Sequence, residues 1–118
     1  MLGSAIGMDK DVMKRLLRDA RLQIARFLVY KKSERKDIVF EKIIQNLGLP
    51  FFVKPANLGS SIGVAKVHNK REFVPALTSA FSYDNKILIE KYIKGKEVEC
   101  SVLGNEKPIV SVCGEIIP

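Results

Sequence analysis

One short loop combines a cation, two glycines and two hydroxyls, and it lies between two apolar runs, in V-K-P-A-N-L-G-S-S-I-G-V. Because Lys54 precedes a proline, its backbone favours an extended conformation, and we expect its ammonium at the end of a strand. Gly59 and Gly63 permit a bend with outward-facing N–H groups, and Ser60 and Ser61 add hydroxyl donors. Donors beside a point charge suit a phosphate, although a plain hairpin turn with a solvated lysine has the same composition.

A second polar group interrupts the apolar strand pattern of I-L-I-E-K-Y-I-K-G-K-E-V-E. Glu90 and Lys91 follow three apolar residues, Gly95 breaks the run, and Glu97 opens the next one. Such a break can expose backbone groups to a planar heterocycle while a carboxylate binds hydroxyls. A charged hairpin tip is the alternative interpretation.

The composition limits the classes of partner. The net charge is 20 − 13 = +7 over 118 residues, which favours anionic partners. We expect no nucleic-acid partner, because there is no long basic helix and no aromatic signature of RNA binding. No apolar run approaches about 20 residues and no signal peptide is visible, so we expect a cytoplasmic protein without a membrane partner. Cys100 and Cys113 are expected to be small buried hydrophobic residues in a reducing compartment.

Hydrophobic periodicity predicts an α+β fold that ends in an antiparallel meander. Asp9 is placed to cap the first helix, Ser33 the second and Asn69 the third, and Gly48 to end the second. The predicted helices cover residues 10–20, 33–47 and the segment from 69 to about 81. The predicted strands cover residues 27–30, 51–54, 64–67, 86–93, 97–103 and 109–116.

The two polar groups, preceded by G-S-A-I-G-M-D-K, together resemble the D-alanine–D-alanine ligases of the ATP-grasp superfamily. The motifs occur in the family's order and extend over nearly the whole chain. The resemblance implies a partial ATP-grasp fold, in which helices pack on an antiparallel sheet. D-alanine–D-lactate ligases share these motifs, and another ATP-grasp carboxylate–amine ligase or a non-catalytic interaction module also remains open.

The resemblance assigns roles to the phosphate side of the site. Lys10, in M-D-K, and Lys54, in V-K-P, match lysines that contact the ATP phosphates. Gly59, Ser60 and Ser61 fall in the family's mobile glycine-serine loop. Ser60 matches the serine that approaches the substrate, and it is the candidate catalytic residue.

The resemblance also assigns the nucleoside side. Glu90, Lys91 and Ile93 match the segment that recognises adenine, and Glu97 matches the carboxylate that binds the ribose hydroxyls. The implied partners are ATP and D-alanine, with Mg²⁺ or Mn²⁺ as cofactor. We assign no metal ligand in this chain, because the family's ligands are expected beyond it.

The implied reaction joins two D-alanines through an acyl phosphate, for peptidoglycan precursor synthesis, in an enzyme expected to be a homodimer at full length. The family's N-terminal domain and last ATP-grasp strands are expected outside residues 1–118, so we expect the isolated chain to be inactive. Within this partial domain we expect a linker helix and strand over 1–32. We expect the first ATP-grasp lobe over 33–92 and the start of the second over 93–118.

Overall fold

The computed structural model describes residues 2–57, 59 and 61–117, with Ile6 described by its backbone alone. The helices are α1 Leu2–Met8, α2 Lys10–Asp19, a 3-10 helix Lys32–Asp37, α3 Phe40–Leu47 and α4 Lys70–Tyr83. The strands are β1 Phe27–Lys31, β2 Phe51–Pro55, β3 Ala65–Val67, β4 Lys86–Lys91, β5 Glu97–Glu99, β6 Val102–Leu103, β7 Ile109–Val110 and β8 Gly114–Ile116. None of these helices is long and apolar enough to cross a membrane.

Four strands form one antiparallel sheet in the order β1-β4-β2-β3. Strand β4 lies between β1 and β2, so that Glu90 faces Phe27 on one side and Phe52 on the other. Successive side chains of a strand alternate between the two faces of the sheet. Ile87 and Ile89 therefore enter the hydrophobic core, while Glu90 points to the opposite face, where it meets a side chain of α2.

The core lies between the sheet and helices α3 and α4. Phe40, Phe51 and Phe73 form its aromatic centre, with ring centroids 6.1, 5.3 and 5.7 Å apart. Such tilted and edge-on contacts add to the stabilisation from burying the rings. The other buried members are Ile38, Ile43, Leu47, Val53, Val67, Ala76, Leu77, Ala80, Phe81, Ile87 and Ile89.

The continuous helix predicted over residues 33–47 is wrong. A 3-10 helix ends at Asp37, the next two residues are extended, and α3 then begins at Phe40. Both extended residues are β-branched, which weakens helix propensity, and Ile38 enters the core at the break. Arg35 also holds the 3-10 helix against α4, because its Nη2 donates to Thr78 Oγ1 at 2.6 Å.

The two long strands predicted over 97–103 and 109–116 are each interrupted. Glu99 pairs with Gly114, and Val102 pairs with Val110. Two residues separate these pairs on one strand and three on the other. The extra residue breaks the ladder in the manner of a β-bulge. The segment therefore forms two short antiparallel ribbons, β5 with β8 and β6 with β7.

Both cysteines lie beside these ribbons, and the expectation that they are buried is wrong. Cys100 and Cys113 are exposed free thiols. Every residue of β5, β6, β7 and β8 is exposed as well. The reason is that the described residues place no helix or second sheet layer against either ribbon.

Candidate functional site

Eight of the nine residues predicted for the site line a single cavity of about 340 Å³. The ninth, Ser60, lies outside the described residues. The cavity is lined by Lys10, Ala25, Phe52, Lys54, Gly59, Ser61, Val64, Glu90, Lys91, Ile93 and Glu97. This volume lies within the range of small-molecule pockets.

The sheet and α2 bring the charged residues together. Lys54 lies near the end of β2, and Glu90 lies on the neighbouring strand β4, where it faces Phe52. Lys10 is the first residue of α2, and its backbone N–H donates to the carbonyl of Ala56 at 2.8 Å. The helix therefore begins beside the end of β2. The Lys10 ammonium donates to the carbonyl of Pro55 at 3.1 Å.

Glu90 is held between two lysines. Its Oε1 lies 2.8 Å from Lys54 Nζ, and its Oε2 lies 2.7 Å from Lys14 Nζ. Burial raises the pKa of Glu90, but the hydrogen bonds from Lys14 and Lys54 outweigh it and hold the pKa below its ordinary value of 4.5. Glu90 is therefore an ionised carboxylate at neutral pH.

The surroundings of Lys10 disfavour its charged form, whereas those of Glu90 favour the charged form. Burial and then the neighbouring charge of Lys54 lower the pKa of Lys10, and the attraction of Asp84, Glu90 and Asp9 only partly offsets this. A group whose charged form is disfavoured by a like charge is stabilised by an added opposite charge. An anion between Lys10 and Lys54 would therefore be bound favourably.

The loop between β2 and β3 is anchored at both ends. The backbone N–H and Nδ2 of Asn57 both donate to Asp84 Oδ2 at 2.9 Å. At the other end Gly63 has φ +72° and packs closely against Tyr83 and Pro55. Gly59 and Ser61, between these anchors, line the cavity, and Ser61 has the positive φ of +60° that few non-glycine residues adopt.

The end of β4, the segment after it and the start of β5 form another wall of the cavity. Lys91, Ile93 and Glu97 line it there. Tyr92, between them, packs on Phe52 with the ring centroids 6.2 Å apart, and Lys66 Nζ lies 4.2 Å from the centroid of the tyrosine ring. This cation–π contact ties the segment to strand β3.

Sequence reasoning did not identify Lys14. It lies one helical turn after Lys10, so both residues are on the same side of α2. This spacing could have indicated that Lys14 lies near the site. It could not indicate a role, because that role depends on the contact of Lys14 with Glu90 on strand β4. The apolar lining residues Phe52, Ala25 and Val64 were missed because nothing in their residue types distinguishes them from ordinary packing.

The donor set determines which ligands suit the cavity. Two lysines, loop N–H groups and a hydroxyl suit phosphate, and an apolar wall beside carboxylates suits a nucleoside. Within residues 2–57, 59 and 61–117, no three His, Cys, Asp or Glu side chains form a group that could hold a metal ion. We therefore assign no metal ligand among these residues.

Comparison with known proteins gives a consistent result. The sequence profile of the family described as "D-ala D-ala ligase C-terminus" matches residues 16–118. The D-alanine–D-alanine ligase of Oceanobacillus iheyensis is 53% identical over 118 residues, which are 100% of this chain and 32% of that protein.

Two solved structures have the same fold. The D-alanine-D-alanine ligase from Coxiella burnetii has a TM-score of 0.87 and 35% identity, over 97% of this chain and 34% of that one. The VanG D-Ala:D-Ser ligase from Enterococcus faecalis has a TM-score of 0.86 and 36% identity, over 95% and 32%. The chain thus spans about a third of the relatives it matches, and the predicted α+β, partial ATP-grasp fold is confirmed. The chain belongs to the D-ala D-ala ligase C-terminus family.

Proposed function

We propose that this chain forms part of the ATP site of a ligase that joins two D-alanines for peptidoglycan precursor synthesis. The single observation that supports this proposal is the convergence of Lys10, Lys54, Glu90 and Glu97 on one cavity. These residues come from α2, β2, β4 and β5, so chance proximity along the chain does not explain their meeting.

The proposed roles are those that the family resemblance implies, and the residue types suit them. Lys10 and Lys54 bind the ATP phosphates, and Gly59, Ser60 and Ser61 cover them. Cations and hydroxyl donors supply the charge-assisted hydrogen bonds that phosphate oxygens accept. The bound nucleotide supplies the phosphoryl group that activates a D-alanine carboxylate, with Ser60 on the substrate side.

The nucleoside side of the proposal uses the end of β4, the segment after it and the start of β5. Glu90, Lys91 and Ile93 bind adenine, and Glu97 binds the ribose hydroxyls. Residues 33–92 then belong to the first ATP-grasp lobe and 93–118 to the second, after a linker over 1–32. Residues from all three of these segments line the cavity, which supports a nucleotide site between the proposed lobes.

The wider proposal concerns the complete enzyme. Mg²⁺ or Mn²⁺ is held by residues outside this chain, and the enzyme acts in the cytoplasm as a homodimer. Its second substrate is D-alanine, and D-lactate is the alternative. One structural relative is named as a D-Ala:D-Ser ligase, so the acceptor amino acid must be tested directly with the complete gene product.

Calorimetry with ATP and adenosine tests the nucleotide site. We expect the wild-type chain to bind ATP more tightly than adenosine, because only ATP carries phosphates for Lys10 and Lys54. Lys54→Ala should weaken ATP binding about tenfold or more, since a charge-assisted hydrogen bond is lost. Adenosine binding should change little.

The matched control is Lys42→Ala, which removes an exposed lysine of α3, a helix outside the cavity lining. Its ATP affinity should equal that of the wild type. Equal affinities for ATP and adenosine, both indifferent to Lys54→Ala, would contradict the proposal.

A further inference from the structure

Lys14 is a buried cation beside the cavity that does not line it. Its Nζ lies 2.7 Å from Glu90 Oε2 and 3.5 Å from the carbonyl oxygen of Ala25, and 5.3 Å from the centroid of the Phe27 ring. Its side chain is 11% exposed, so little solvent screens its attraction to Glu90. These contacts fix the ammonium on the side of Glu90 away from Lys54.

Glu90 therefore has two counter-ions, of which a ligand in the cavity can contact only Lys54. Lys54 lines the cavity, and phosphate oxygens placed there would compete with Glu90 Oε1 for its ammonium. Lys14 does not line the cavity, so it stays with Oε2 while the cavity is filled. A carboxylate that is mostly shielded from solvent, as Glu90 is at 13% exposure, is destabilised when it loses its only cation. With Lys14 in place, Lys54 can turn to a ligand without that penalty.

We propose, resting on the ATP site proposed above, that Lys14 is a positioning residue that keeps Glu90 ionised and lets Lys54 exchange Glu90 for phosphate. The role is indirect, because Lys14 acts through Glu90 and contacts no ligand. It is also distinct from the role of Lys10, which lines the cavity itself.

The pH dependence of binding distinguishes this role from plain structural support. The charged groups near Glu90 are Lys14 and Lys10 from α2, Lys54 from β2, and Lys91 and Glu97 along the cavity wall. The β1 residue opposite Glu90 is the uncharged Phe27. Removing Lys14 takes away one of the two direct ion pairs, and burial then raises the pKa of Glu90.

The variant Lys14→Met should therefore bind ATP in a pH-dependent way relative to wild type. At about pH 8, Glu90 is still charged and holds Lys54 as its sole direct partner, so ATP affinity should fall about tenfold. At a lower pH, at which part of the Glu90 in the variant is protonated, Lys54 is released and the loss should be smaller. Comparing variants at each pH cancels the titration of ATP itself.

The experiment is calorimetry of ATP and adenosine with wild type, Lys14→Met, Lys14→Arg and Arg15→Met. Lys14→Arg should restore most of the affinity, because it keeps the charge. Arg15→Met, at an exposed neighbouring position that pairs with Asp11, should match wild type. Adenosine affinity should be the same in wild type, Lys14→Arg and Arg15→Met.

A second set of variants applies if Lys14→Met is too unstable to measure. Glu90→Gln removes the negative charge that Lys14 pairs with, so adding Lys14→Met to it should change ATP affinity no further. Equal ATP affinity of Lys14→Met and wild type at both pH values would overturn the inference. So would a loss that is equal at both pH values and not restored by arginine. Failure of the wild type to bind ATP would instead overturn the proposed function, and this inference with it.

Discussion

Gly63 is a position in the loop where the backbone conformation and the close packing both require glycine. Its φ of +72° is a conformation that other L-residues rarely adopt. A Cβ at this position would meet Tyr83 Cδ2 at 2.7 Å and Pro55 Cγ at 2.8 Å. The close approach keeps the end of the cavity loop against α4 and β2.

Gly63→Ala should therefore lower the free energy of unfolding by about 1–3 kcal/mol, the usual cost of such strain. Urea unfolding followed by circular dichroism measures the change. Gly59→Ala is the matched control, since nothing lies within 4 Å of its added Cβ and its φ is not positive. Equal stabilities of the two variants would refute the argument.

At the same scale, the motifs and the family resemblance that they support predicted eight residues that do line one cavity, including Lys10 and Glu97 from opposite ends of the chain. Lys14 was not predicted because its proposed role depends on its spatial contact with Glu90, which the sequence alone does not show. Only the packing of α2 on the sheet brings its ammonium to Glu90. The roles themselves stay predictions, since the geometry brings the residues together without a ligand.

Helix α2 is fastened to the sheet through its first turn. Asp9 Oδ1 accepts from the amides of Asp11 and Val12, and Asp9 Oδ2 lies 2.7 Å from Lys86 Nζ. Lys86 also lies 3.2 Å from Asp11 Oδ2. One carboxylate thus caps the helix and attaches it to β4. This fastening places Lys10 beside the cavity.

The charge of Asp9 should make part of the stability depend on pH. Burial raises the pKa of Asp9, but hydrogen bonds from Lys86 and from the amides of Val12 and Asp11 outweigh it and hold the pKa below 3.8. The pKa of Asp9 is lower in the folded state than in the unfolded state. This stabilisation is therefore present above about pH 4 and is lost as the pH falls through the folded-state pKa. Asp9→Asn, which can still cap, should destabilise at pH 7 and much less at about pH 3.

Urea midpoints at the two pH values test this expectation. Asp9→Ala should cost a further 0.5–2 kcal/mol or so at either pH, because the cap is lost as well. Asp19→Asn, at the other end of α2, is the control and should be neutral or slightly stabilising. A pH-independent loss in Asp9→Asn would show that its charge is not involved.

Elements with a clear hydrophobic period were predictable, and those controlled by neighbours were not. The period identified α2 and the core face of α4, and alternation identified β2 and β4. Helix α1 was not predicted, because Leu2–Met8 is short and contains two glycines. The break before α3 was missed because it depends on Ile38 entering the core.

On the scale of the whole chain, the molecule has two regions of very different packing. Alternate residues of β2 and three consecutive residues of β4 are buried, and α4 adds five buried side chains. The ribbons between Glu97 and Ile116 bury none of their strand residues. Local stability follows burial and contact density.

Hydrogen exchange should therefore divide the chain in two. Amides of β2 and β4 should exchange at least about a hundredfold more slowly than those of β5 and β8, after correction for intrinsic rates. Mass spectrometry of peptides from the labelled chain measures both sets. The same chain in strong urea provides the unprotected reference. Similar protection in the two regions would contradict the division.

The contact between Lys66 and Tyr92 has a practical consequence. The chain contains three tyrosines and no tryptophan, so its ultraviolet emission comes from few rings. Tyr92 lies under a lysine ammonium and against Phe52, a side chain of the cavity wall. We therefore expect ligand binding in the cavity to change the emission of Tyr92, and a fluorescence titration would measure this change without an attached dye.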